Sequence, residues 1–351
     1  MFRRAIRLLL VAAVLVWPLW PGGIPSAEPA SGPAGTDGSG RTRVLVVQSY
    51  DPGYLWPQSI NQGIADALRG QDVTIETIYL DAKRHADPAR LRQAAAGALR
   101  RIEAEHVAVV IAVDDPAQEY LVAPRLMGRA RPQVIFCGVN APLQHYGYPA
   151  GNVSGVQERW HFRQGFELLA HIAPSLRRVV FLTEDSESGR YVREDLLERQ
   201  RQGGPYALAV VGAETIRTFQ QWQARVLWWQ DHTDALALGI YNALVDETTG
   251  RVVPAKQVMA WTNAVNHLPT LGFSDLAREY GLLCGVLESG HEQGYLAGVM
   301  VRELLVRGVP AGRLPPRVNS RGVVLLNLRA AERLGLHISF ELIEAAGVVL
   351  Q

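Results

Sequence analysis

Four short, largely apolar runs, VLVVQ (44–48), VTIETIYL (73–80), VAVVIAV (107–113) and VIFCGV (134–139), alternate with stretches whose apolar residues return every three or four positions. A strand that is apolar on both faces has to be covered on both faces, so runs of this kind belong to a parallel sheet with helices packed on either side. Helices are predicted near 57–69, 88–104 and 116–127. In the first, Pro57 suits the opening helical position, Ile60, Ile64 and Leu68 share one face, and Gly70 supplies the left-handed conformation that ends a helix.

A second series follows Val156, with strands VVFLT (179–183), ALAVVG (207–212), ALALGI (235–240) and TLGFS (270–274), and helices near 162–173, 188–201, 218–230 and 254–266. The tail adds a strand LLCGVL (282–287), a helix near 291–307, a Pro-rich connector PAGRLPPR (310–317), a strand VVLLN (323–327) and a helix from Leu328 to Leu334. A third series this short cannot enclose a core of its own, so its pieces complete the first two. The expected fold class is α/β, with two Rossmann-like lobes on parallel sheets. Lobe 1 takes 43–155 with 280–316, lobe 2 takes 156–279 with 317–351, and the chain crossings between them form a hinge.

The first 27 residues differ in kind. Arg3, Arg4 and Arg7 precede an apolar run from Leu8 to Trp20, and Ser26 and Ala27 follow a Pro-Gly break, the layout of a secretory signal peptide. The alternative is an uncleaved anchor, although the run contains Pro18 and is shorter than the ~20 residues that span a bilayer. Export places the protein in the periplasm or extracytoplasmic space. Residues 28–42, EPASGPAGTDGSGRT, read as a flexible leader. Loss of the three arginines takes the formal charge from +1 to −2, and no basic run elsewhere could track a phosphate backbone, so nucleic acid is excluded as a partner. Cys137 and Cys284 each sit in an apolar run before Gly-Val and are expected as free buried thiols rather than a bridge.

Catalytic patterns are missing. There is no G-x-G-x-x-G after a strand and no Walker lysine, His291-Glu292-Gln293-Gly294-Tyr295 is not H-E-x-x-H, and the nine histidines show no metal-ligand spacing. No enzyme activity, cofactor or metal is expected.

In open parallel sheets, ligands sit beyond the carboxyl ends of the strands, where loops converge. Those ends carry Ser49, Tyr50, Tyr54 and Trp56, then Asp81, Asp114-Asp115 and Asn140 in the first lobe, and Glu184-Asp185, Glu214, Tyr241-Asn242 and Ser274-Asp275 in the second. Asp, Ser and Asn also cap helices whatever the function, and both readings stand for the small polar residues. The rings of QSYDPGYLWP (48–57) exceed what a turn needs. They either plug a core or form one wall of a cleft, with Tyr241 on the opposite face.

The stretches VLVVQSYDPGYLWPQSINQGI (44–64), VIFCGVNAP (134–142), GNVSGVQE (151–158), VVFLTEDSESG (179–189) and NLRAAERLGLHISFELIEAAGVVL (327–350) resemble ABC-transporter substrate-binding proteins of the tryptophan/tyrosine type. The resemblance implies the type I periplasmic-binding-protein architecture, three crossovers, and a ligand enclosed between lobes. It carries Ser49, Asn140 and Glu158 over as cleft or hinge residues. Importing members tend to place small polar residues after the third strand. Here Asp114-Asp115-Pro116-Ala117 stands instead, similar to sensor modules ahead of histidine kinases and diguanylate cyclases. Two carboxylates on a cleft wall repel an anion and favour an ammonium or a hydroxyl-rich group. The expected protein is a monomeric binder of a small organic ligand, aromatic or amine-bearing. Its site is Ser49, Tyr50, Tyr54, Trp56, Asp114, Asp115, Asn140, Glu158, Glu184, Asp185, Tyr241, Asn242 and Asp275, and its partner is an ABC permease or, alternatively, a membrane sensor protein.

Overall fold

The computed structural model describes residues 35, 36 and 39–351. The expected signal peptide lies outside them, as does most of the leader. The leader's end is not slack: Thr36 bridges Thr42, and Gly35 O accepts from Arg43 N at 3.0 Å.

The chain begins with β1 (Thr42–Gln48), α1 (Leu55–Leu68), β2 (Val73–Tyr79), α2 (Pro88–Ala104), β3 (Val109–Val113), the single turn α3 (Asp114–Ala117), β4 (Gln133–Val139) and β5 (Val153–Gln157). It continues with α4 (Phe162–Ile172), β6 (Arg178–Glu184), α5 (Glu187–Gly203), β7 (Ala209–Ile216), α6 (Phe219–Trp229), β8 (Ala235–Leu238), α7 (Ala255–Val265), β9 (Thr270–Gly272) and α8 (Asp275–Glu279). The last elements are β10 (Cys284–Leu287), α9 (Gly290–Arg307), β11 (Arg317–Val318), β12 (Val323–Asn327), α10 (Leu328–Arg333), α11 (Phe340–Ala345) and β13 (Val348–Leu350). The helix predicted at 116–127 starts earlier and changes character. One α turn runs into a π-helical stretch, Gln118–Leu126, that contains Pro124, which has no N–H for an ordinary helical bond.

Two sheets carry the molecule, in the orders β11-β5-β4-β3-β1-β2 and β13-β12-β10-β9-β8-β6-β7. All pairings are parallel except β10 with β12. The strand ends part from the expected lobe limits in two places. β10, expected with the first lobe, pairs with β9 in the second sheet, while β11, expected with the second, pairs with β5 in the first. Within the quoted stretch GNVSGVQE, residues 153–157 form the strand β5, and the chain crosses between the sheets after it.

Helices cover both faces of each sheet, as the apolar runs require. On one face of the first sheet Val44, Val46 and Ile111 pack against Ile60, Ile64 and Met300 from α1 and α9. On the other, Leu45, Val47 and Val110 meet Ala95, Ala98 and Leu121. α1 and α9 approach so closely that a Cβ at Gly63 would lie 2.1 Å from His291 O, and one at Gly294 2.0 Å from Ile60 O. Cys137 and Cys284 are buried free thiols in different sheets.

Three segments pass between the sheets: 158–161 after β5, 288–289 after β10 and 319–322 after β11. They are tied side to side. Asn319 Oδ1 accepts from Arg159 N at 2.8 Å, and its Nδ2 donates to Arg159 O at 3.0 Å and to Glu288 Oε2 at 2.7 Å. Gln293 at the start of α9 donates to both Asn319 and Glu288, and its Oε1 accepts from Gly138 N at 3.0 Å. Among the described residues, no helix is long and apolar enough to cross a membrane.

Candidate functional site

The loop after β1 splits its aromatic rings between packing and exposure. Tyr50 is 8% exposed, packs with Ala82 and Leu91, and reaches the second lobe, where its hydroxyl lies 2.9 Å from Ser188 Oγ. Tyr54 and Trp56 are half-buried beside the same cluster. Trp56 also donates its indole N–H to Asp114 Oδ1 at 2.8 Å, which fixes ring and carboxylate together. The rings therefore serve as both plug and wall, a combination that composition alone does not distinguish.

Asp114 is the most constrained residue of the site. It directly follows β3 in the left-handed region with φ of 63°, which a non-glycine residue adopts at a cost, and it is 2% exposed. Its carboxylate fits because position 138 is glycine: a Cβ there would lie 2.5 Å from Asp114 Oδ1. Asp114 Oδ2 is buried and has no hydrogen-bond partner among the described residues. Burial pushes this carboxyl well above the usual range, the Trp56 bond opposes that rise, and Glu158 and Asp115 add to it.

Around Asp114 lies a cavity of about 90 Å³ built from both lobes. Tyr50, Tyr54, Trp56 and Lys83 line it from the first lobe, and Ser188, Ile240, Asn242, Ser274 and Asp275 from the second. Asn140, Glu158 and Trp160 line it where the chain crosses between lobes. There Glu158 accepts from Asn140 Nδ2 at 3.1 Å and from Trp160 Nε1 at 2.6 Å, and burial still pushes its carboxyl up to about 8. Asn242 Oδ1, like Asp114 Oδ2, is a buried acceptor without a partner among the described residues. Desolvation also raises Asp275, at the start of α8.

A buried ion pair joins the lobes beside this cavity. Lys83 Nζ meets Glu184 Oε1, with side chains 6% and 1% exposed, and Lys83 also sits 5.1 Å from the Tyr50 ring centroid. The second Glu184 oxygen accepts from Ala243 N.

Several candidates belong elsewhere. Ser49 is fully buried and clamps strand ends, donating to Val113 O at 2.6 Å and accepting from Ala117 N at 2.9 Å. Asp115 turns away from the cavity and holds the loop after β4, accepting from Asn140 N and Ala141 N at 3.1 Å each, with its carboxyl pushed up to about 6 by burial. Tyr241, expected as the opposite wall, is buried in the second lobe against Trp222 and donates to Leu276 O at 3.0 Å. The chain turns after β8, so its neighbour Asn242 faces the cleft instead. Glu184 serves the ion pair, and Asp185 is exposed at the mouth, paired with Arg190 at 2.8 Å. Lys83, Trp160 and Ser188 were missed. Lys83 and Ser188 follow strand ends, where the rule that found the others also applies. Among the described residues no group of three or more His, Cys, Asp or Glu side chains is placed to hold a metal ion.

Two α/β lobes, joined by three crossovers and meeting at a cavity between their strand ends, define the type I periplasmic-binding-protein fold. Solved structures share it. An ABC domain in complex with L-Trp from Streptococcus pneumonia is 20% identical at a TM-score of 0.67, over 88% of this chain and 100% of that one. A substrate binding protein with adhesive properties from Clostridium difficile, in a ligand-free, open structure, is 16% identical at 0.63, over 88% and 99%. The leucine binding protein LivK from Thermotoga maritima is 14% identical at 0.52, over 77% and 84%. No curated protein sequence matches the chain. The family model of the ABC transporter substrate binding protein matches residues 57–350, and the chain belongs to that family. Its members are in general non-enzymatic binding proteins and normally act outside the cytoplasm.

Proposed function

We propose that the protein is an exported solute-binding protein that captures a small organic ligand between its lobes and presents the closed form to an ABC permease. The observation that carries this is the cavity itself, which draws partnerless acceptors from both lobes, Asp114 Oδ2 and Asn242 Oδ1, under the rings of Tyr50, Tyr54 and Trp56. A ligand touching both lobes stabilises only the closed arrangement, and a permease that recognises that arrangement reads out occupancy. The quoted stretches favour the tryptophan/tyrosine-type branch, and the pattern from Arg3 to Ala27 favours a removed signal segment and a periplasmic location.

The second reading is a ligand sensor that signals to a membrane histidine kinase or diguanylate cyclase. It is favoured by Asp114-Asp115-Pro116-Ala117, where importing members tend to carry small polar residues. Neighbouring genes for a permease and an ATPase support import, and a neighbouring kinase or cyclase supports sensing.

The binding claim is tested by thermal-shift screening of the chain from residue 28 onward against a metabolite panel, since a binder of the folded state raises the melting temperature by mass action. Hits are expected to lose most of their shift in Trp56→Ala, whose own fold stays intact. Undiminished shifts in that variant would assign Trp56 to packing alone.

A further inference from the structure

We propose that the cleft takes a small primary or secondary amine that carries no carboxylate, its ammonium lodged between Asp114 Oδ2 of the first lobe and Asn242 Oδ1 of the second. The inference deepens the solute-binding reading and rests on it.

Two buried acceptors from opposite lobes line one cavity, and neither has a hydrogen-bond partner among the described residues. A buried acceptor left without a donor is costly, and a group with at least two N–H bonds answers both at once. A carboxylate answers neither, since it has only lone pairs to offer. Trp56 strengthens the selection, because its indole N–H is already spent on Asp114 Oδ1 and Oδ2 is left without a donor among the described residues.

The charges along the wall point the same way. Asp114, Glu158, Asp275 and Glu279 line the cavity, and among the described residues Lys83 is the one basic side chain that does. Lys83 is held by Glu184 in a pair that is buried on both sides, so a ligand carboxylate would have to break that pair to be neutralised. The carboxyls of Asp114 and Glu158 are both raised by burial and by one another's charge or that of Asp115, and a cation against them lowers the cost of ionising them. Lys83 already stands over the Tyr50 ring, and Trp56, which also lines the cavity, brings an aromatic surface without positive charge.

Size limits the rest of the molecule. The cavity of about 90 Å³ is smaller than the roughly 150 Å³ apolar cavity that accommodates benzene. In this arrangement of the lobes the space is of the size of a short aliphatic amine.

The test is isothermal titration and saturation-transfer NMR of the chain from residue 28 onward with four size-matched probes: n-propylamine, propan-1-ol, propionate and alanine. The expected result is binding of n-propylamine at least tenfold tighter than any of the other three. Asp114→Asn keeps the side chain's volume and should weaken n-propylamine binding at least tenfold, and Asn242→Ala, a half-exposed position, is the second variant should Asp114→Asn fold poorly. Propionate or alanine binding as tightly as n-propylamine would overturn the ligand class, as would n-propylamine binding unchanged by both substitutions. A thermal-shift panel separates the two levels of the claim. Hits that all carry carboxylates sink the amine assignment and leave the solute-binding reading standing, whereas no hit of any charge sinks both.

Discussion

At the residue scale, the site depends on carboxyl groups held in places that disfavour their charge. Glu158 is pushed up to about 8 and Asp115 to about 6, in both cases chiefly by burial. An acid whose folded value is raised keeps its proton in the native state after the unfolded chain has lost it. Its stabilising contribution is full below the unfolded value near 4.5 and is lost as pH rises toward 8. His161 works in the opposite sense, since burial lowers its value, but its effect falls below about pH 6.5. Between pH 6.5 and 8 the protein should therefore lose stability, at up to about 1.4 kcal/mol per pH unit for one such group. Glu158→Gln should flatten the decline in calorimetric melting temperature over that window, and an equally steep decline in the variant would show that Glu158 does not titrate there. Asp114 and Trp56 were legible because strand ends gather polar and aromatic groups, whereas Glu158 came only from the family resemblance; all three line the cavity. Sequence reasoning could not decide between Tyr241 and Asn242, since one step along a chain leaving a strand exchanges core for cleft, and the sequence does not show where the turn after β8 begins.

At the element scale, α1 and α9 form the tightest contact between helices distant in sequence, and the glycines there are steric necessities. Gly63→Val would drive a branched side chain into the His291 carbonyl, with Cβ already at 2.1 Å, and should cost about 3 kcal/mol or more. Urea unfolding of the variant measures this, and a midpoint equal to that of the parent would mean that the helices stand farther apart. α1 itself was legible from its periodicity and its terminating glycine, although it opens at Leu55, two residues before the Pro57 expected to begin it. The exchange of β10 and β11 between sheets was not, because hydrophobic pattern identifies a strand and says nothing about its neighbours. Only the pairings of Cys284 with Leu271 and of Arg317 with Val156 settle that question. The knot of Asn319, Arg159, Glu288 and Gln293 was illegible for the same reason, as its members are up to 160 positions apart.

At the scale of the whole molecule, the account requires two bodies that close on a guest, turning about three linked crossovers. Side-chain contacts across the cleft join Lys83 with Glu184, Tyr50 with Ser188, Tyr146 with Glu187 and His145 with Tyr191. Replacing Lys83 with Met leaves Glu184 unpaired in the closed arrangement and should disfavour that arrangement by about 3 kcal/mol. The two-lobed plan was readable in the alternation of strands and helices, whereas this clasp was not, because nothing in the sequence places Lys83 against Glu184, 101 positions away. Pulsed electron-spin distance measurements between labels at Ala89→Cys and Thr248→Cys, both exposed and on opposite lobes, test the central claim most directly. The expected result is a short distance that gains population with each thermal-shift hit and loses it in Lys83→Met. A distance distribution unmoved by either change would contradict closure between lobes as the working principle of this protein.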